Sequence, residues 1–202
     1  MNRTLLVVIW GALAIAVCVP VILAARSPLL AWRDPIYITG GFAGIVGLAI
    51  LLVQPLLAGG HLPGLSLQSS RRIHRVVGAT LVLSVVIHVV ALWITSPPDV
   101  IDILLFASPT PFSVWGTIAM WAVFAAALVA LLRRQLGLQL RTWRRCHTAL
   151  VILIVLGSVV HAVLIEGAME TVSKTLLCAL VLIATARTVV GLRAWTRRTS
   201  PD

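Results

Sequence analysis

Six apolar runs, each about 20 residues long, constrain this chain more than any other feature of its sequence. A helix of roughly 20 residues spans the hydrocarbon core of a bilayer. Of the 202 residues, 60% are hydrophobic and only 11% are charged, the composition of a polytopic membrane protein. We therefore predict an all-α integral membrane protein, a single six-helix transmembrane bundle over residues 1–202. The predicted spans are 5–24, 38–58, 73–95, 113–132, 147–165 and 174–192.

The first run could be either a cleaved signal peptide or a helix that stays in the membrane. It begins after a single basic residue, Arg3, and ends in the segment VILAARS. The apolar core of a signal peptide is usually about 7–15 residues long, which is shorter than this run. We therefore expect the first span to be retained.

Basic residues are concentrated in alternate segments between the spans. One set of alternate segments contains Arg3, Arg71, Arg72, Arg75, Arg133, Arg134, Arg141, Arg144, Arg145, Arg187, Arg193, Arg197 and Arg198. The other set contains only Arg26, Arg33 and Lys174. Because Lys and Arg favour the cytoplasmic side, both termini are expected in the cytoplasm. The net charge of +10 is thus interpreted as an orientation signal beside lipid headgroups, and nucleic acid is not an expected partner.

Four histidines lie within runs that otherwise predict membrane helices. His74 and His88 share the third span, and His147 and His161 share the fifth at the same 14-residue interval. Fourteen residues of helix turn through about 1400° and rise about 21 Å. The two histidines of each helix therefore lie on one face of it at two depths. The third and fifth spans run in the same direction, which gives an inner pair, His74/His147, and an outer pair, His88/His161. Polar residues inside a membrane are costly and usually functional.

Several chemistries could use two such pairs. A single four-histidine zinc site is excluded, because zinc–nitrogen bonds are about 2 Å long and the pairs are roughly 21 Å apart. Two separate two-histidine metal sites would each lack further ligands, and a proton relay would be expected to include carboxylates, which no span centre contains. Haem b needs only two axial imidazoles. A histidine-lined transporter of transition metals or protons is the alternative from another class, and a purely structural subunit is a third.

Other residues receive structural interpretations. Gly78 and Gly157 lie one turn from a histidine, where they could leave room for a macrocycle between the pairs or allow ordinary helix packing. Gly40 and Gly44 have the small-xxx-small spacing of closely packed helices. His61, in the polar loop AGGHLPGLSLQSS, is expected to be solvated.

The segments RRIHRVVG…H and W-R-R-x-H…H resemble the ferric reductase-like transmembrane domain family. That family includes ferric-chelate reductases, NADPH oxidases and the haem-binding membrane subunit of bacterial methionine sulfoxide reductase systems. The resemblance covers spans two to six and implies that His74, His88, His147 and His161 are the axial iron ligands of two haem b groups. The sulfoxide-repair subunit typically lacks a histidine at the position of His74, so this chain is more similar to the two-haem reductases. Its second interval of 14 residues departs from the 13 that several members have.

The resemblance also implies a function and partners. Larger members continue into a flavin and NAD(P)H-binding module, and no connecting segment here is long enough for one. We therefore expect a separate cytoplasmic flavin/NAD(P)H reductase, a quinol or a loosely held flavin as the electron donor. Electrons would pass outward to a ferric chelate, dioxygen or a periplasmic redox protein, making the chain the multi-pass membrane component of an oxidoreductase, expected in a bacterial inner membrane. The alternative within this class is a haem-binding subunit that feeds a periplasmic reductase such as a methionine sulfoxide reductase.

Charged residues flank both pairs. Arg75 and Arg144, beside the inner pair, are the best candidates to bind haem propionates or an acidic donor. The loops next to the outer pair carry Asp99, Asp102, Glu166 and Glu170 but only one basic residue, Lys174, which predicts a negative outer mouth that attracts cationic acceptors.

Overall fold

A computed structural model describes residues 3–197 as a bundle of α-helices, and no β-strand occurs among these residues. Six of the seven helices are long and apolar enough to cross a membrane, which confirms the predicted six-helix bundle. The helices are α1 Arg3–Ala25, α2 Pro35–Ala58, α3 Leu67–Thr95, α4 Pro97–Leu104, α5 Pro111–Leu132, α6 Leu140–Leu164 and α7 Thr171–Arg197. Arg198, one of the predicted orientation residues, lies outside the described range, and the orientation of the termini stays a prediction.

Local capping chemistry fixes where the long helices begin. The Asp34 carboxylate accepts a hydrogen bond from the backbone N–H of Ile36 (2.7 Å), and Pro35 occupies the first helical position of α2. Proline suits that position because its missing N–H would have no helical partner there. Ser66 starts α3 in a similar way, since its hydroxyl accepts from the backbone N–H of Ser69.

Helix α4, Pro97–Leu104, was not predicted from the sequence. The Pro97-Pro98 pair ends the apolar run of the third span, but its fixed φ angles also suit the first turn of a new helix. Asp99 lies in that first turn, where a negative charge favours the helix N-terminus. The connection between the third and fourth spans therefore contains a short helix rather than a simple loop.

The spanning helices form two antiparallel hairpins, α2–α3 and α5–α6, whose helices pack closely within each hairpin. Helix α7 packs against α2 and α6, and its Leu177 and Val181 are almost fully buried in the main apolar core. Helix α1 lies at the periphery, where the Trp10 indole N–H donates to the carbonyl of Pro63. Helices α3 and α6, which carry the histidines, are not among the closely packed pairs. A gap therefore separates the two histidine-bearing helices.

The two ends of the bundle differ in charge. The basic end is formed by the α2–α3 and α5–α6 connections, and α3 and α6 extend beyond their apolar runs there. Those extensions carry Arg71, Arg72, Arg75, Arg141, Arg144 and Arg145. The far end is formed by the other connections and carries Asp34, Asp99, Asp102, Glu166 and Glu170.

Candidate functional site

The outer pair, His88 and His161, meets across the gap between α3 and α6. The centres of the two imidazole rings are 6.5 Å apart, and the ring planes are nearly perpendicular at 82°. Each ring contacts a backbone carbonyl of its own hairpin through Nδ1, at 2.7 Å from Gly40 O and 2.8 Å from Phe112 O. A carbonyl oxygen only accepts hydrogen bonds, so both Nδ1 atoms carry the proton and donate. Each Nε2 then holds the free lone pair and is the nitrogen available to a metal.

A glycine on the neighbouring helix makes room for each outer ring. A Cβ atom at Gly44 would lie 3.1 Å from Nδ1 of His88, and one at Gly116 would lie 2.6 Å from Nδ1 of His161. In both hairpins the glycine comes one helical turn after the residue whose carbonyl accepts the histidine's hydrogen bond. The two hairpins therefore present their outer histidine in the same way, and the close packing predicted for Gly44 serves the ring of a histidine.

The inner pair, His74 and His147, is held differently. Nδ1 of His74 donates to the carbonyl of Gln54 over 3.3 Å, a longer bond than either in the outer pair. Nδ1 of His147 is buried without a hydrogen-bond partner, and the ring stacks on Trp143 at 5.5 Å between centres. His74 and His147 lie within electrostatic range of one another. The structure thus brings the outer pair into ring contact, whereas the inner pair lies within electrostatic range and is held less firmly.

The two arginines predicted beside the inner pair lie at the surface, and their predicted role stays a prediction. Arg75 and Arg144 are exposed, and neither makes a hydrogen bond or ion pair with a residue in the described range. The guanidinium of Arg133 instead lies 4.7 Å from the ring centre of Trp143, which stacks on His147. Sequence reasoning missed this stack. The position of Trp143 one helical turn before His147 was the available signal, whereas Arg133 comes from the α5–α6 connection and had none.

Of the two interpretations of Gly78 and Gly157, the contacts support ordinary helix packing rather than room for a macrocycle. A Cβ atom at Gly78 would lie 3.2 Å from the side-chain nitrogen of Gln54, and one at Gly157 would lie 2.9 Å from the carbonyl of Trp115. Both glycines therefore face the partner helix of their own hairpin. They allow α2–α3 and α5–α6 to pack closely.

His61 is not the solvated loop residue that its polar surroundings predicted. Its Nε2 is buried without a hydrogen-bond partner, and the ring lies against Gly59, where an added Cβ atom would be 2.5 Å from Nε2. Burial, and then the positive charge of Arg187, lower the pKa of His61 below its usual value. Arg187 belongs to α7, which is distant in sequence, so composition alone gave no sign of this environment.

Two of the four acids expected at the outer mouth have local structural roles. The Glu170 carboxylate accepts hydrogen bonds from the backbone N–H groups of Val172 and Ser173, both at 2.7 Å. These bonds, led by that from Ser173, lower the pKa of Glu170. Asp99 accepts a hydrogen bond from the hydroxyl of Ser96. Hydrogen bonding does not remove the negative charge of Glu170, and the negative outer mouth stays a prediction.

The geometry of the outer pair fits a six-coordinate haem iron. Imidazole–metal bonds of about 2.0–2.1 Å, with roughly 1.1 Å from each nitrogen to its ring centre, place two axial rings about 6.3 Å apart. The observed separation is 6.5 Å. Within residues 3–197 no three histidine, cysteine or carboxylate side chains group as metal ligands, so each pair offers two imidazoles and no more. That number matches the axial positions of haem iron.

Comparison with known proteins identifies one family. The sequence profile described as ferric reductase like transmembrane component matches residues 43–165, more than half of the chain. The match contains all four histidines but not the sixth span, which the resemblance from sequence had included. A comparison with curated proteins finds no match, and a comparison with solved structures finds none either. Ferric reductase-like domains generally bind haem and serve electron transfer across membranes. The chain is therefore a multi-pass membrane protein that belongs to the ferric reductase-like transmembrane component family.

Proposed function

We propose that this chain binds two haem b groups, one at each histidine pair, and conducts electrons between the two faces of the membrane. The observation that carries the proposal is the outer pair, whose rings lie 6.5 Å apart with both Nδ1 atoms committed to carbonyls. When bound, haem supplies one-electron exchange between ferric and ferrous iron. His88 and His161 would both hold the outer haem, and the chain would then leave no place at its iron for a ligand such as dioxygen. Electrons would therefore leave by outer-sphere transfer.

Residues around the outer pair prepare it for ligation. The carbonyls of Gly40 and Phe112 fix the tautomer and the orientation of each ring, and they increase the basicity of the ligating nitrogen. Gly44 and Gly116 let the rings lie against the neighbouring helices. The chain thus holds both imidazoles in a binding orientation at little further entropic cost.

The inner pair would bind the second haem. His74 is oriented by the Gln54 carbonyl, and His147 by its stacking on Trp143. Arg75 and Arg144 remain our candidates to bind the propionates or an acidic donor, and Arg133 joins them because it contacts the stack through Trp143.

Direction and partners follow from the charge of the two ends. The positive-inside rule places the basic end in the cytoplasm, where a separate flavin/NAD(P)H reductase or a quinol would supply electrons. A ferric chelate, dioxygen or a periplasmic redox protein would accept them at the far end. The chain is then the membrane component of a reductase system in a bacterial inner membrane.

A single-haem version of this function is favoured by one observation. The inner pair has the longer hydrogen bond at His74 and none at Nδ1 of His147. With only the outer haem bound, the chain would correspond to a haem-binding subunit that feeds a periplasmic reductase such as a methionine sulfoxide reductase.

Haem stoichiometry tests these proposals. Pyridine haemochrome analysis of the purified protein should give two haem b groups per chain, and His61→Gln, which changes a histidine outside both pairs, should retain both. One haem per chain, with His74→Ala spectrally silent, would support the single-haem version. A protein that binds transition metals but no haem would reject both and favour a transporter.

A further inference from the structure

A cavity of about 650 Å³ lies at the far end of the bundle, between the end of α1 and the α6–α7 connection. Its polar lining residues are Arg26, Ser27, Glu166, Glu170, Thr171 and Lys174. The cavity lies close to the outer histidine pair along the chain, because the Ile165 backbone N–H donates to the carbonyl of His161 and Lys174 Nζ donates to the carbonyl of Ile165.

Lys174 is the most unusual of these residues. Its side chain is only 6% exposed, and Nζ makes one hydrogen bond, 2.8 Å long, to the Ile165 carbonyl. An ammonium group has three N–H donors, so two remain after that bond is made. A buried cation is costly unless an opposite charge pairs with it, and Lys174 forms no ion pair with any residue that the structure describes.

Neither carboxylate in the cavity forms an ion pair with a cation of the described residues. Both Glu170 oxygens accept hydrogen bonds from backbone N–H groups at the start of α7. Glu166 is exposed and makes no ion pair within the described range. Arg26 likewise presents its guanidinium donors without a partner there. The unused groups in the cavity are therefore mainly hydrogen-bond donors on two positive charges.

We propose that this cavity binds a phosphate-type oxyanion, held by Lys174 Nζ and the Arg26 guanidinium with help from the Ser27 hydroxyl. Arginine and lysine both form short, charge-assisted hydrogen bonds to phosphate oxygens. Anionic phospholipid headgroups and free phosphate both present such oxygens. The phosphate could therefore belong to an anionic phospholipid or be free in solution. This proposal does not depend on haem binding.

The test measures two probes separately on delipidated, detergent-solubilised protein. Native mass spectrometry with phosphatidylglycerol reports lipid binding, and isothermal titration calorimetry with inorganic phosphate reports the free anion. The variants are Lys174→Met and Arg26→Gln. The matched control is Arg33→Gln, because Arg33 is a cation of the same end whose guanidinium lies over the Tyr37 ring, outside the cavity.

Delipidated wild-type protein should bind one added phosphatidylglycerol molecule tightly, or bind one phosphate ion. Lys174→Met should weaken the probe at least tenfold, Arg26→Gln should weaken it less, and Arg33→Gln should leave it unchanged. Binding of phosphatidylglycerol alone identifies a lipid site, and binding of phosphate without lipid identifies a site for a soluble anion. Lys174→Arg should bind like wild type if the loss in Lys174→Met reflects charge rather than misfolding. Binding of neither probe, or equal binding by wild type and Lys174→Met, would overturn the proposal.

Discussion

At the scale of single residues, hydrogen bonding separates the two histidine pairs. His88 and His161 are each fixed by a short bond to a backbone carbonyl, whereas His147 has no such bond and depends on an aromatic neighbour. Carbonyl bonds at Nδ1 raise the basicity of the ligating nitrogen and stabilise ferric iron. We therefore expect the two haems to have different reduction potentials. The outer haem should be more difficult to reduce than it would be without the two carbonyl bonds.

The pairing itself can be tested residue by residue. His88→Ala and His161→Ala should each abolish the same haem, and His74→Ala and His147→Ala should each abolish the other, because the members of each pair share one depth. Electron paramagnetic resonance of the ferric protein, combined with a redox titration, distinguishes the two low-spin signals. If His74 and His161 affected the same signal, the parallel arrangement of the pairs would be wrong.

Trp143 gives a second residue-scale prediction. Trp143→Leu removes the stack on His147, whose Nδ1 has no hydrogen bond to hold the ring. Aromatic pairs contribute about 0.5–1.5 kcal/mol beyond their buried area, so the inner haem should bind roughly 2- to 10-fold more weakly. Haem affinity from titration into the apoprotein measures this. Trp121→Leu is the control, because Trp121 is exposed on α5 and contacts neither pair, and an equal loss in both variants would contradict a specific role for the stack.

His61 predicts a pH dependence of stability. Its pKa is lowered in the folded protein, so the unfolded chain binds a proton more readily than the folded one. Above a pH of about 6.5 the ring is neutral in both the folded and the unfolded chain. As the pH falls below about 6.5 toward the lower pKa of the folded protein, the unfolded chain takes up the proton first and the folded protein loses stability. Wild type should therefore lose more thermal stability between pH 7.5 and 5.5 than His61→Gln does. The difference between the two proteins isolates His61 from the other histidines, and parallel pH curves would show that its burial has no such effect.

At the scale of helices, the neighbour of each histidine helix determines where the ring lies. A Cβ atom at Gly116 would lie 2.6 Å from Nδ1 of His161, so it must displace the ring. A Cβ atom at Gly44 would lie 3.1 Å from Nδ1 of His88, so that ring needs only a small shift. Gly116→Ala should therefore reduce outer-haem content more than Gly44→Ala does. Gly41→Ala, on α2 with nothing within 4 Å of the added atom, is the control. Equal haem content in all three variants would show that the glycines do not shape the site.

Much at this scale was predictable from the sequence. Twenty-residue apolar runs specify membrane helices because a helix satisfies all of its backbone hydrogen bonds within one such segment, and the 14-residue intervals placed the histidines on single faces. What could not be predicted depends on contacts distant in sequence. The Gly40 and Phe112 carbonyls approach histidines 48 and 49 residues away, and nothing in the local pattern of α2 or α5 marks them as partners. Arg26 was likewise missed at the outer mouth because α1 meets the α6–α7 connection only in the folded bundle.

At the scale of the whole molecule, the two hairpins form a repeated unit around a central gap. The family match, residues 43–165, includes most of α2 and the rest of both hairpins, whereas α1 and α7 lie outside it. Helix α7 supports the hairpins through the apolar core, and α1 covers the periphery. The proposed electron path then runs along the seam between the hairpins, from the basic end to the far end.

Charge at the far end should select among electron acceptors. Asp102 and Glu166 are exposed there, and Glu170 is excluded from the test because its carboxylate caps α7. If the mouth is negative, Asp102→Asn combined with Glu166→Gln should speed oxidation of the reduced haems by ferricyanide and slow oxidation by a cationic cobalt complex. The effect should be largest at low salt, because the screening length is only about 10 Å at 0.1 M.

The same measurement tests the direction of electron flow when it is made on sealed vesicles of known orientation. Ferricyanide and the cobalt complex do not cross the bilayer, so they oxidise only haems that are reachable from the side to which they are added. Oxidation from the far end, with reduction by a donor at the basic end, is the expected result, because the outer pair lies toward the former and the inner pair toward the latter. Equal responses of the two oxidants to the double substitution would show that Asp102 and Glu166 do not control the exit. Oxidation only from the basic end would overturn the outward direction, since the outer pair could then not be the last carrier.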